Sequence, residues 1–319
     1  MANVSTIIPA YNAASFIERA LRSVYAQTLA PAEVIVVDDE SRDETAAIVE
    51  RIARDAPVPT TLVRQSNAGP AAARNRGMLS AKGDLIAYID ADDEWLPEKL
   101  ERQIECLAAN PSAVLCCTGV MCIDADSNEI GAVAHSTDTT FEALLERNFV
   151  ALSSTVARRS ALGDAPFNTR RDFIASEDYD LWLRLARHAP IRYLPEPLLR
   201  YRIHPAGISH VSTRVHDAER AVLEELFASL AREGRLDPVY RKRRLAQISV
   251  ECGYRLFHAG ERAAARGEFL RAFRDDERRL RALGMAVVTL LPPRTLGAAR
   301  AVVHVLRTAA NGRVSRVAS

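Results

Sequence analysis

Aromatic residues are scarce in this 319-residue chain, at 6%, and the five cysteines are odd in number, with no second pair or histidine at a zinc spacing. A disulfide-stapled secreted module and a structural zinc site are thereby excluded, and reduced, mostly buried thiols in a cytosolic protein are expected. No apolar run reaches the roughly 18–20 residues that a membrane-spanning helix requires. A secretory leader is not seen either: the first basic residue is Arg19, and Ser5, Pro9 and Asn12 interrupt the early apolar run. No Gly-x-Gly-x-x-Gly follows a strand signal, and no Gly-x-x-x-x-Gly-Lys-Ser/Thr occurs, so a dinucleotide-binding dehydrogenase and a Walker-type NTPase lose their main support. An excess of charge of one sign is missing too. At +1 overall, the chain gives no reason to expect a nucleic-acid partner.

What is present is a soluble globular composition, 48% apolar and 26% charged, long enough for one large domain or two ordinary ones. The near-neutral total hides an asymmetry: residues 1–213 carry a net −8 and residues 214–319 a net +9. The first hundred residues alternate strand and helix signals. Val4–Ile8, Val34–Val37, Thr60–Arg64 and Leu85–Ile89 read as strands, Val34–Val37 and Leu85–Ile89 with the continuous apolar pattern of strands covered on both faces. Between them, Asn12 is placed to cap an amphipathic helix carrying Phe16, Ile17, Ala20, Leu21 and Val24. Ser41-Arg-Asp-Glu44 has the form of a capping box for a helix through Ile52. Helices follow at Pro70–Ala81 and from about Pro97 to Ala109. This alternation predicts a parallel α/β sheet with helices on both faces. Val114–Ile123, Ser153–Arg158, Ile191–Leu194 and Leu198–Arg202 extend it as strands, with a short helix at Tyr179–His188. Beyond His210 only amphipathic helices are expected, at 214–232, 238–259 and 261–275.

Three of the early strands run into polar residues at their carboxyl ends: Pro9-Ala-Tyr-Asn12, Asp38-Asp-Glu-Ser41 and Asp90-Ala-Asp-Asp93. A parallel sheet gathers such ends along one edge, outside which open α/β sheets bind ligands. Carboxylates crowded there repel one another unless a cation or donor hydrogens share them. Asp90 and Asp92, separated by one small residue, offer oxygen-only ligands, which select Mg²⁺ or Mn²⁺ over zinc; such ions bridge to phosphate oxygens. In Asn67–Gly77, Gly69 and the small residues after it allow close backbone approach to a ligand, and Arg74 has the reach to meet a nucleotide or its phosphates. Glu177, Asp178 and Asp180 open an amphipathic helix, where the helix dipole favours carboxylates and one of them is placed to act as a general base. Tyr201-Arg-Ile-His204 closes the region with donors for a leaving diphosphate.

Together these segments resemble family 2 glycosyltransferases with the GT-A nucleotide-sugar-binding fold. The matching pieces are Val4-Ser-Thr-Ile-Ile-Pro-Ala-Tyr-Asn12, Val36-Val-Asp-Asp-Glu-Ser41, Asn67-x-Gly through Ala73-Arg-Asn-x-Gly77, Asp90-Ala-Asp-Asp93, Glu177-Asp-Tyr-Asp-Leu-Trp182 and Tyr201-Arg-x-His204, in the family's order over roughly residues 3–210. One departure is Glu40, where the family usually has glycine. The resemblance implies that Pro9 and Tyr11 line the nucleotide site, that Asp39 accepts from a uracil or thymine N–H, and that Arg74 contacts the same nucleotide. It further implies that Asp90 holds the ribose, Asp92 ligates the divalent cation and Asp178 is the base, with Glu177 and Asp180 as substitutes. The implied reaction inverts the sugar carbon on transfer from a UDP- or dTDP-sugar to a glycan or polyprenyl-linked acceptor, as in bacterial surface polysaccharide assembly. A catalytically silent nucleotide-sugar binder and a sugar nucleotidyltransferase are the alternatives. The first would bind donor without hydrolysis or transfer. The second would carry a Gly-rich, Lys/Arg-bearing loop where Pro9-Ala-Tyr-Asn12 stands.

The expected division is a GT-A domain over 1–213 and a helical region over 214–319. Within the latter, Leu283–Leu291 is apolar and Arg294–Arg307 is basic and amphipathic. Residues 282–310 therefore fit either a peripheral contact with the cytoplasmic membrane face or a terminal helix docked on the GT-A domain.

Overall fold

Short β-rich runs in the sequence become the strands of one mixed sheet, and the amphipathic segments between them become its covering helices. The computed structural model describes residues 3–133, 139–205, 207 and 213–291. Its strands are β1 (Val4–Ala10), β2 (Glu33–Asp38), β3 (Thr60–Arg64), β4 (Leu85–Tyr88), β5 (Glu94–Trp95), β6 (Leu115–Ile123), β7 (Glu129–Val133), β8 (Val156–Arg158) and β9 (Ile191–Arg202). The helices are α1 (Ile17–Tyr25), α2 (Thr45–Ala53), α3 (Pro70–Ser80), α4 (Lys99–Ala109), α5 (Phe141–Glu146), α6 (Arg159–Leu162), α7 (Glu177–Ala186), α8 (Arg214–Arg232), α9 (Pro238–His258), α10 (Arg262–Asp275) and α11 (Leu280–Val288).

Strand order is β3-β2-β1-β4-β8-β6-β9-β5, with β7 attached to β6. The first four strands are mutually parallel, β8 runs antiparallel to both β4 and β6, and β9 is parallel to β6. The chain leaves β1 in one direction to β2 and β3 and returns on the other side as β4. A crevice therefore opens between β1 and β4 at their carboxyl ends, the place where such sheets accept ligands. Pro9 fits this geometry. Ala10 O accepts from Asp39 N on the β2 side, so the Pro9 nitrogen faces the β4 side, where β4 has already ended at Tyr88. Ile89 N still donates to Ile7 O at 3.2 Å, and without an N–H at Pro9 the ladder goes no further, so the two strands part there.

The core between sheet and helices includes Val4, Ile8, Ile17, Leu21, Val24, Val34, Val36 and Leu100, all buried. Helix α3 reaches β1 through Gly77, where an added Cβ would stand 2.5 Å from Ile7 Cγ2. Gly77→Ala is expected to cost about 1–3 kcal/mol in urea unfolding, as overpacking at a rigid contact does; an unchanged midpoint would mean that the helix shifts freely.

Two expected caps do not form. Asn12 has a positive φ of 49° and is engaged elsewhere: its Oδ1 accepts from Arg42 N at 2.9 Å, and its N donates to Ser41 Oγ at 2.9 Å. Helix α1 begins only at Ile17, and α2 only at Thr45, with Asp43 rather than Ser41 accepting from Thr45 N at 3.0 Å. These polar side chains tie the loops after β1 and β2 to each other instead of ending helices. The two strands expected at 191–202 are one, β9, whose register against β6 shifts between Thr118 and Val120. Strands β5 and β7 and helix α5 were not evident in the sequence.

Contacts divide the chain inside α8, between Leu223 and Glu224; the division expected from sequence, after 213, lies at the start of that helix. In the second unit Cys252, Leu256, Ala265, Phe269, Met285 and Ala286 form a separate core. Gly253 allows α9 to meet α10 closely, since a Cβ there would lie 2.7 Å from the Phe269 ring. All five cysteines are free thiols. No helix among the described residues is long and apolar enough to cross a membrane. The expected basic amphipathic stretch at 294–307 lies outside the described residues.

Candidate active site

The Ala73-Arg-Asn-x-Gly77 segment is the hinge of the site, and each of its polar residues has a distinct task. Gly77 seats α3 on β1. Asn75 exchanges two hydrogen bonds with the Phe167 backbone, Nδ2 donating to its O at 2.8 Å and Oδ1 accepting from its N at 3.0 Å. That places the Phe167 ring 5.4 Å from the Arg74 guanidinium. Arg74 is buried and forks between two carboxylates: Nη2 donates to Asp90 Oδ1 at 2.8 Å and Nη1 to Glu177 Oε1 at 2.6 Å. Burial opposes its charge, but Asp90 and Glu177 together hold its pKa above the ordinary value. The sequence placed Arg74 against the nucleotide. In the fold both Nη groups join the end of β4 to the start of α7.

Glu177 is also buried, and its Oε2 accepts from Ala175 N at 2.8 Å. Ala175 holds a positive φ of 84°, a costly conformation for a residue with a Cβ, immediately before the helix. Helix α7 is fixed from below by Trp182 Nε1 donating to Val150 O and Tyr179 Oη donating to Leu144 O. Its first turn therefore presents Asp178 from a rigid element. Asp178 is half-buried, and its Oδ1 accepts from Tyr179 N at 2.7 Å. Burial, reinforced by the neighbouring Glu177 charge and only partly opposed by Arg74, pushes its carboxyl up to about 7. Asp180, by contrast, is held by Arg184 at 2.9 Å. Of the three acids that open the helix, only Asp178 has no cationic partner among the described residues.

At the end of β4, Asp90 N donates to Ser153 Oγ at 2.9 Å. Burial raises the Asp90 pKa in spite of Arg74, and Asp92 adds to the rise. Asp92 has a side chain one-third exposed, and its Oδ2 lies 3.0 Å from His204 Nε2. The His204 ring is 4.7 Å from that of Phe16. Asp90 and Asp92 thus hold different partners, a guanidinium and an imidazole. Arg202, fully buried, orders this corner: its Nε donates to Asp92 O at 2.7 Å, its Nη1 to Asp124 O at 2.7 Å, and its Nη2 to Glu94. Asp93 turns inward, accepting from Arg202 N at 2.9 Å, and burial raises its carboxyl well above the usual range.

Tyr11, the residue after β1, is half-exposed. Asp39 is buried and already accepts from Gln65 Nε2 at 2.8 Å, Ala68 N at 2.9 Å and Gly69 N at 2.8 Å. It holds the loop before α3, whose Gly69 has a φ of 88°. Of about four acceptor positions on a carboxylate, one remains for a ligand. The roles of Gln65, Ser153, Phe167 and Arg202 were not drawn from sequence. Arg202 did leave a signal, within the Tyr201-Arg-Ile-His204 motif expected to supply donors to a leaving diphosphate, but its guanidinium is engaged with Asp92 O, Asp124 O and Glu94.

Among the described residues no three His, Cys, Asp or Glu side chains converge as a closed metal cage. The donor set still suits a hard cation. Asp92 is a partly exposed carboxylate with Asp90 two residues away, and Mg²⁺ or Mn²⁺ is held by one or two carboxylates when phosphates complete its shell.

Comparison with known proteins agrees with this architecture. Glycosyl transferase family 2 matches residues 5–161. An uncharacterised protein of Mycobacterium tuberculosis is 34% identical over 214 residues, covering 65% of this chain and 60% of that protein. This chain therefore spans about 60% of that relative's length. Escherichia coli WfgD, a UDP-Glc:alpha-D-GlcNAc-diphosphoundecaprenol beta-1,3-glucosyltransferase, is 31% identical over 208 residues, covering 65% of this chain and 79% of WfgD. The S. aureus TarS structure (residues 1–349 with UDP-GlcNAc) superposes with a TM-score of 0.62 at 19% identity, over 90% of this chain and 89% of that one. At that identity the likeness speaks for the fold, which is GT-A. With nearly four-fifths of a glucosyltransferase matched in sequence and the family's motifs assembled at one sheet edge, the chain belongs to glycosyl transferase family 2.

Proposed function

We propose that the protein transfers a sugar, with inversion, from a UDP- or dTDP-linked donor to a hydroxyl of a glycan or lipid-linked acceptor in bacterial surface polysaccharide synthesis. The observation that carries this reading is Asp178, a carboxyl with no cationic partner among the described residues, raised to about 7 and held at the crevice edge by α7. A general base works best with a pKa near the working pH. In the proposed step Asp178 takes the acceptor hydroxyl's proton as that oxygen bonds to the anomeric carbon and the bond from this carbon to the donor diphosphate breaks. Displacement from the opposite face inverts the centre. Pro9 and Tyr11 line the nucleotide, Asp39 offers its remaining acceptor position to the base, and Asp90 holds the ribose. Arg74 and Glu177 keep Asp90 and α7 at a fixed separation. His204 donates to the departing diphosphate. Asp92, with Asp90, would hold a Mn²⁺ or Mg²⁺ ion, which supplies neutralisation of the charge growing on the leaving group. The lipid-linked acceptor class draws on the similarity to WfgD, and a cytoplasmic location follows from this assignment.

A thermal-shift screen of UDP-, dTDP- and GDP-sugars with Mn²⁺ tests the donor class, since a ligand that binds only the native state raises the melting point. A rise with UDP- or dTDP-sugars is expected, and a rise with GDP-sugars alone would overturn the donor assignment. Donor hydrolysis or transfer by the stabilised complex separates an enzyme from a silent binder. Asp92→Ala is expected to weaken Mn²⁺-dependent UDP binding by about tenfold to a hundredfold in calorimetry, and unchanged affinity would remove Asp92 from the ligand set.

A further inference from the structure

Both faces of helix α11 are apolar. Ala282, Met285, Ala286 and Thr289 are buried within the second unit. On the other side Leu280, Leu283 and Val287 recur at helical spacing with exposures of 68%, 37% and 57%. Leu290 and Leu291 continue the stripe in the turn that follows, at 63% and 37%. These five are half of the ten large apolar side chains exposed among the described residues, gathered on about three turns. A patch of this kind on a soluble chain marks an interaction surface.

Charge says what the surface meets. Asp275, Asp276 and Glu277 precede the helix, and from Arg278 to Ser319 the sequence holds eight arginines and no aspartate, glutamate or lysine. Arg278, just before the helix, and Arg281, in its first turn, are exposed. A second copy of the chain would bring the same cations face to face, and a neutral apolar partner would leave them unanswered. A layer that is apolar inside and anionic at its surface answers both features. The nine residues of α11 make about 14 Å of helix, less than half of a bilayer's hydrocarbon core, so the helix is fitted to lie in the interface and not to span it.

We propose that α11 is a membrane-surface attachment element, lying in the plane of an anionic leaflet with Leu280, Leu283, Val287, Leu290 and Leu291 among the acyl chains and Arg278 and Arg281 at lipid phosphates. It rests on residues apart from the donor site, so it stands or falls separately from the transferase reading. The experiment is co-sedimentation of the full chain with vesicles of equal parts phosphatidylglycerol and phosphatidylcholine, and with vesicles of phosphatidylcholine alone. Partition onto the anionic vesicles is expected to exceed that onto neutral ones by about tenfold and to fall with added salt. The combined variant Leu280→Gln, Val287→Gln and Leu290→Gln is expected to lose about tenfold or more in partition, while Leu79→Gln, an equally exposed leucine on α3, behaves as the parent. If the triple variant misfolds by circular dichroism, Leu283→Trp serves instead: its emission is expected to shift to the blue on anionic vesicles. A parent that stays in the supernatant, a folded triple variant that pellets like the parent, or an unshifted tryptophan would overturn the proposal. So would a parent that is dimeric in light scattering, becomes monomeric in the triple variant and never pellets, which would assign the stripe to a second copy.

Discussion

Asp178→Asn is expected to lower sugar transfer about a thousandfold while donor affinity stays within a few-fold of the parent. Asparagine keeps the shape of the side chain and its place at the start of α7 but cannot take a proton. With a pKa of about 7, Asp178 in the parent is mostly protonated at pH 6 and mostly ionised at pH 8. The acceptor-saturated rate of the parent should therefore rise with pH up to about 7 and level above it. Stability runs the other way. Because this carboxyl is raised above its unfolded value, its contribution is complete below the unfolded pKa and is lost as pH climbs through the folded one. The Asp178→Asn protein should then melt no lower than the parent at pH 8, which separates a chemical defect from an unfolded one. Turnover within a few-fold of the parent would move the base elsewhere, with Glu177 next in line only if Arg74 released it.

Arg74→Met is expected to destabilise the protein by about 3–5 kcal/mol in urea unfolding, because it leaves Glu177 buried and Asp90 crowded by Asp92 without a counter-charge. Arg74→Lys should recover only part of this. A single ammonium cannot reproduce a fork whose arms reach Asp90 at 2.8 Å and Glu177 at 2.6 Å. The double variant Arg74→Met/Glu177→Gln should be more stable than the sum of its parts, since removing both charges removes the orphan. A loss below about 1 kcal/mol for Arg74→Met would show that the carboxylates find water or shed their charge by protonation.

The parallel half of the sheet was legible because β2 and β4 are runs of apolar residues covered on both faces, and such strands declare themselves locally. Thr60–Arg64 was placed residue for residue, and α3, α8 and α9 within a residue or so. The failures share one cause. Asn12 and Ser41 look like caps when only their own neighbours are considered, but they bond each other's loops across 29 residues. Strands β5 and β7 exist because β9 and β6 offer them edges, not because Glu94-Trp95 or Glu129–Val133 favour extension. The same holds in the site. Its acids were visible as clusters at strand ends, but sequence does not record which carboxylate a guanidinium reaches 103 positions away. The fold adds two carboxylate partners to the nucleotide contact expected of Arg74, and Asp178 stands apart once Glu177 and Asp180 have theirs.

The ion pair between Arg74 and Glu177 also has a consequence for how the chain is born. Translation delivers the guanidinium long before its partner. A nascent polypeptide emerging only as far as residue 161 would lack α7, along with Arg202 and His204, which complete the corner at Asp92. Until those later segments leave the ribosome, the early strands have no finished crevice to close upon. Functional maturation of the N-terminal half must then wait on the synthesis of residues far downstream.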